Sequence, residues 1–219
     1  DRYYALFPEA FERRIAEQGL WMPFAKISEV KGWQDFGFRF KEGTDETAWD
    51  DAHGIITFRY TEPMTWWMRM PREMARTPEA ALAYAQQLAE DKRDPQARAL
   101  LTSGYHDEMG QFPARLLDTP WCDGAVWSIN SMPNIAGEVT DFKNKWNQKL
   151  RDSLYGPQRK ADLDGEYIDS SEGYVTDELD FRRDHFAASE TALTFSLDSH
   201  APAIFRGLIA FEYIRAIAE

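Results

Sequence analysis

Residues 163–173, LDGEYIDSSEG, place four carboxylates, Asp164, Glu166, Asp169 and Glu172, within eleven residues of otherwise strand-like sequence. A strand alternates its faces, so Asp164 and Glu166 share one side while Gly165, Tyr167 and Asp169 share the other. Asp169 then stands where the strand gives way to a polar loop, which is where α/β folds place their ligands and reacting groups. The competing reading is a plain turn, because Asp and Ser readily hydrogen-bond their own backbone two residues on. Repetition of the pattern elsewhere in the chain decides between the two.

Working outward, residues 54–63, GIITFRYTEP, make the clearest strand in the chain, rich in β-branched and aromatic residues and stopped at Glu62-Pro63. The following MTWWMRMP, with Trp66, Trp67 and Arg69, reads as a loop. Residues 123–134, DGAVWSINSMPN, repeat the Asp-Gly, apolar run and polar exit of 164–170, with Asn130 at the exit. Residues 192–197, ALTFSL, form a further strand that leaves through Asp198-Ser199-His200. A short apolar strand at 21–27 completes five. The segment from Ser28 to about His53 reads as a Gly- and charge-rich loop.

Helices are expected between the strands. Phe7, Phe11 and Ile15 recur every four residues on a first helix that opens near Pro8. Thr77-Pro78-Glu79 is a strong helix start, running to about Asp91. Residues 94–121 read as one short helix and a long loop holding Tyr105, His106, Asp107 and Glu108. A helix from about 135 to 155 carries Val139, Phe142, Trp146 and Leu150 on one stripe, and 204–218 form the last. The charged run around Asp180, Asp184 and His185 reads as a solvated face. Strict strand–helix alternation specifies parallel pairing in an α/β fold. The polar exits at Glu62, Asn130, Asp169, Asp198 and His200 favour a (β/α)8 TIM-barrel type over an open sheet. This chain would supply about five β/α units of a single domain spanning 1–219 that is incomplete at its N-terminal side. It begins at Asp1 without an initiator Met, consistent with an upstream domain or chain completing the barrel.

Composition removes several function classes. Net charge is −12, from 37 acidic and 25 basic residues, which disfavours a surface that tracks nucleic-acid phosphates. No apolar run approaches the ~20 residues that span a bilayer, so no membrane partner is expected. One cysteine, Cys122, rules out an intrachain disulfide and a cysteine-based zinc cluster. Neither GxGxxG nor GxxxxGK[ST] occurs, so no nucleotide cofactor is indicated.

The exit motifs FRYTEP at 58–63, DGEYIDS at 164–170 and FSLDSH at 195–200 resemble those of polysaccharide-acting glycoside hydrolases built on (β/α)8 barrels. The resemblance covers most of the chain and aligns it with strands four to eight of such a barrel. It implies a carbohydrate substrate, no organic cofactor, and catalytic carboxylates at strand exits; a polysaccharide substrate in turn favours a secreted or periplasmic protein. Breaking a glycosidic bond takes two carboxyl groups, one as acid and one as nucleophile or base. Glu62, flanked by aromatic rings, suits the acid; Asp169, among serines and acids, suits the ionised role. Glu166 is the substitute for either. Trp66 and Trp67 would stack on sugar faces, with plain packing as the alternative. Arg69, Asn130, Tyr167, Glu172, Asp198 and His200 would line the substrate path. A metal-dependent hydrolase using Asp169, Asp198 and His200 ranks second, since no HxH or HExxH spacing occurs, and a non-catalytic carbohydrate-binding or scaffold protein ranks third.

Overall fold

A computed structural model describes residues 5–6, 19–92, 94–159, 161–171, 173 and 176–219. The expected first helix with Phe7, Phe11 and Ile15, and the candidate Glu172, lie outside the described residues. The first half of the chain forms β1 (Leu20–Met22), α1 (Trp33–Phe36), β2 (Phe38–Glu42), α2 (Thr47–Ala52), β3 (Ile56–Thr61), β4 (Thr65–Arg69), α3 (Pro78–Glu90) and α4 (Pro95–Ser103). There follow β5 (Ala114–Asp118), β6 (Asp123–Ser128), α5 (Asp141–Lys145), α6 (Gln148–Tyr155), β7 (Gly165–Ile168), β8 (Leu179–Asp180), α7 (Arg183–Phe186), β9 (Thr194–Phe195), β10 (Pro202–Phe205) and α8 (Arg206–Ala218). The chain divides into two compact units, Asp1–Thr61 with Gln148–Tyr167, and Glu62–Asn147 with Ile168–Glu219.

The first unit is built on a parallel sheet in the order β1-β2-β3-β7. Alternation puts Phe40, Phe58, Tyr60 and Tyr167 on one face, where Phe40 stacks on Phe58 and Tyr60 on Tyr167. The opposite face carries ion pairs. Lys41, fully buried, meets Asp50 Oδ2 at 2.7 Å and Asp45 Oδ1 at 3.2 Å. Burial pushes the Asp50 carboxyl above its ordinary value, against the opposing pull of Lys41.

The second unit holds two antiparallel three-stranded sheets, β4-β6-β5 and β8-β10-β9. Trp66, Met68 and Met70 point from one side of β4 into a core completed by Ala125, Trp127 and Ile129 of the β6 segment and by Ala81, Ala85 and Ala89 along α3. Small alanines at every fourth position let α3 lie close to the sheet. Its start follows the sequence signal, with Thr77 Oγ1 accepting from Ala80 N at 3.2 Å. A second cluster joins Met64, Tyr105, Met132, Ile135, Ile204 and Ile209. No helix among the described residues is long and apolar enough to cross a membrane.

The α/β class stands, with a correction to the architecture. Strands occur near all five expected positions, but β1, β3 and β7 share the parallel sheet while β6 and β9 pair antiparallel in two other sheets, and the described strands close no barrel. The apparent kinship of 123–134 with 163–173 therefore does not extend to their pairing. The expected loops at 28–53 and 64–70 contain β2 and β4. The expected helix from 135 to 155 is broken: Gly137 adopts φ 144°, Thr140 caps a new start by accepting from Lys143 N, and Trp146 is extended.

Candidate functional site

Glu62 directly follows β3 and Asp169 directly follows β7, two neighbouring strands of the parallel sheet. Their register is fixed by three contacts with one constant offset. Asp164 N donates to Thr57 O at 2.8 Å, Arg59 pairs with Glu166 at 2.6 Å, and the rings of Tyr60 and Tyr167 stack at 6.0 Å. Each pair is 107 residues apart, and Glu62 and Asp169 continue the same offset.

Buried contacts hold the two exits. Glu62 Oε2 accepts the Trp67 indole N–H at 2.8 Å. Met64, two residues on, is fully buried with φ 67°, a conformation that a non-glycine residue keeps only where its surroundings over-determine it. Here they do. Its N–H donates to Ser131 Oγ at 2.7 Å and Asp141 Oδ2 at 3.3 Å, and its carbonyl accepts from Ile129 N at 3.1 Å and Arg206 Nη1 at 3.0 Å. On the other exit, Asp169 Oδ1 accepts from Ser170 N at 2.9 Å, the turn contact that a short Asp favours.

Arg206 ties the two exits together. Its side chain, 1% exposed, donates through Nη2 to Ser170 O at 2.9 Å and to Thr65 Oγ1 at 3.0 Å, besides the bond to Met64 O. A Cβ on Gly173 would come within 3.4 Å of Arg206 Cδ, and Gly173 itself sits at φ 110°. Tyr105 is buried beside the guanidinium, and burial pushes its hydroxyl well above the usual tyrosine value.

The remaining expected residues do not gather at one place. Glu166 is committed on β7: Arg59 grips it through Nε and Nη2, and Tyr155 donates its hydroxyl to Oε1. Glu166 is thus held in an ion pair within the first unit. Burial, then the Glu166 carboxylate, raise the Tyr155 hydroxyl. Trp66 is 7% exposed within the core, which corrects its expected role as a sugar platform; Trp67 instead serves Glu62.

Arg69 is exposed at the end of β4, where Nη2 donates to Pro120 O at 3.2 Å and Trp121 O at 3.1 Å. There it lines a cleft of 470 Å³ with Arg72, Asp118 and Asp123. Asn130 is fully buried. Its Nδ2 donates to Asp180 Oδ2 at 2.9 Å and its Oδ1 accepts from Met132 N at 3.0 Å, leaving no face for substrate. Asp198 and His200 occupy the exposed turn between β9 and β10, folded back on Ser196. Tyr167 belongs to the first unit, stacked between Trp21 and Tyr60.

The charged run around 177–189 is also less solvated than its composition suggests. Asp180 is fully buried and accepts from Asn130 Nδ2, His106 N, Arg182 N and the His185 ring, whose Nδ1 lies 2.6 Å away. His185 Nε2 faces Thr102 O at 2.9 Å. Burial, then the Arg182 guanidinium, lower the value of His106. No group of three or more His, Cys, Asp or Glu able to hold a metal ion occurs among the described residues.

Arg206, Asp141 and Ser131 had no visible signal as site supports. An arginine directly after the apolar run PAIF was the one available hint, because a charge at a strand–helix junction needs partners. Comparisons with protein-family models, with curated proteins and with solved structures return no match.

Proposed function

We propose that this chain carries the catalytic carboxylates of a glycoside hydrolase, with Glu62 as general acid and Asp169 as nucleophile or base. The observation that supports it is their level placement at the carboxyl ends of neighbouring parallel strands, the position from which (β/α)8 hydrolases work. The sheet order β1-β2-β3-β7 also follows chain order, as consecutive strands of such a barrel do, with most of the second unit inserted between β3 and β7.

Trp67 donates its indole N–H to Glu62 Oε2 and so holds the carboxyl group in place at the strand exit. In the first step Glu62 protonates the glycosidic oxygen, the C1–O bond breaks, and the Asp169 carboxylate bonds to C1. Water then attacks C1, gives its proton to Glu62, and releases Asp169. The metal-dependent alternative lacks comparable support, since Asp198 and His200 lie in an exposed turn.

The test is reducing-end release from a panel of neutral, uronic and sulfated polysaccharides by the parent, Glu62→Gln and Asp169→Asn. The parent should release product, and each variant should lose about 10²–10⁴-fold in kcat. Full activity in either variant removes that residue's assignment. Binding without release by the parent would favour a scaffold.

A further inference from the structure

The first unit presents a row of four rings that none of the steps above uses. Trp21 of β1 stacks on Tyr167 of β7 with centroids 5.2 Å apart and planes at 22°. Tyr167 stacks in turn on Tyr60 at 6.0 Å, and Phe24 leans on Tyr60 at 5.0 Å and 57°. β1 and β7 are the two edges of the sheet, which in a flat sheet would lie about 14 Å apart at ~4.8 Å per strand. Rings from both edges therefore meet across one face, and that face is an aromatic floor.

The two end rings are the open ones. Trp21 is 43% exposed and Phe24 71% exposed, although both are anchored from behind by the tyrosines. Phe24 also takes φ 48°, a left-handed conformation that a bulky residue rarely adopts. It does so just past β1, at the same carboxyl ends of the parallel strands where Tyr60 and Tyr167 stand next to last and last but one. Rigid exposed rings at that end of a parallel sheet, one of them in strained backbone, mark a binding surface.

We propose that Trp21 and Phe24 form a subsite for a neutral pyranose ring, so that the substrate is an uncharged glycan. This rests on the glycosidase reading and narrows it. A sugar ring offers an apolar C–H face to an aromatic plane and hydroxyls at its rim, and the tyrosines supply polar tips between the open rings. The charge pattern selects a neutral sugar. On the strand positions of this face the one carboxylate within the unit, Glu42, is 1% exposed, and the arginines Arg39 and Arg59 point to the opposite side. Among the described residues, the strand positions of this face carry no cation for a uronic or sulfated sugar to pair with.

Calorimetric titration of cellohexaose, mannohexaose, maltohexaose and trigalacturonate into the Asp169→Asn protein reads the subsite without turnover. At least one neutral hexasaccharide should bind, trigalacturonate should not, and Trp21→Ala and Phe24→Ala should each weaken binding about tenfold. The exposed Trp121→Ala serves as control, and far-UV circular dichroism with thermal melts confirms folding. Unchanged affinity in both folded variants, or preference for trigalacturonate, overturns the inference. So does a parent dimer that Trp21→Ala dissociates, since a second copy would then cover the floor. Hydrolysis that survives Trp21→Ala with unchanged KM defeats the subsite alone; binding that persists while the parent releases no product defeats the catalytic reading alone.

Discussion

Replacing Arg206 with Met tests whether the two strand exits are held by one side chain. Met keeps much of the length and apolar stem and deletes every donor. Three bonds of 2.9–3.0 Å disappear, and Met64 O, Thr65 Oγ1 and Ser170 O lose a partner in a site where Arg206 is 1% exposed. A hydrogen bond from a charged donor contributes about 1.5–3 kcal/mol, but removing a buried charge also relieves its desolvation. The net expectation is a loss of about 3–5 kcal/mol, the range for breaking a buried charged network. At about 2–4 °C per kcal/mol for domains of this size, Tm should fall by about 10 °C.

Activity should fall beyond the folded fraction. The exits carrying Glu62 and Asp169 would shift independently, and a misplacement of about 1 Å costs ~10²-fold in rate. Differential scanning calorimetry gives the first number, and product release per folded molecule at 20 °C the second. Arg206→Lys should fall between, because one ammonium cannot reproduce the planar fork that reaches three oxygens. A Met variant that melts within about 2 °C of the parent and keeps its specific activity would refute the clamp.

Four further outcomes are expected. Glu166→Ala removes the Arg59 ion pair and the Tyr155 acceptor and should cost the first unit about 3 kcal/mol in urea titration; Glu166→Gln that keeps full activity once folded would confirm a structural role. Asp141→Ala leaves Ser131 Oγ and Gln96 Nε2 without this buried acceptor and Met64 N with Ser131 Oγ, and should cost about 3–5 kcal/mol by the same assay. For His106, the folded value lies below that of the unfolded chain, so the unfolded state takes up the proton first and stability falls as pH drops through the ordinary histidine value. His106→Phe should flatten that slope, and an unchanged difference in Tm between pH 7 and pH 5 would contradict it. With Asp169 proposed as nucleophile, C1 is displaced twice, so the first product seen by proton NMR should keep the anomeric configuration of the substrate.

Local signals transferred well where the backbone itself writes them. β3 was legible from its β-branched residues and the stop at Glu62-Pro63, and α3 from Thr77-Pro78-Glu79, because capping and proline geometry act over three residues. The strand exits at Glu62 and Asp169 were legible for the same reason: β3 ends at Thr61, two residues before Pro63, and β7 ends at Ile168, where the polar turn begins. Arg206 was not, since its partners lie 36 to 142 residues away and no local pattern encodes them.

The residues 64–70 explain why the architecture diverged from the reading of the sequence. MTWWMRM has alternation, with Trp66, Met68 and Met70 on one side and Trp67 and Arg69 on the other, but Pro63 before it and Pro71 after it give it the punctuation of a loop. What settles the matter is its pairing with β6, where Trp66 faces Trp127 and Met68 faces Ala125. Gly124 allows that approach: a Cβ there would stand 2.1 Å from Met68 O. Once β4 pairs, Trp66 must face the core and Trp67 must face away, toward Glu62. The same strand that removes one tryptophan from the sugar-binding role thus delivers the other to the proposed acid, and a one-residue slip in its register would exchange the two.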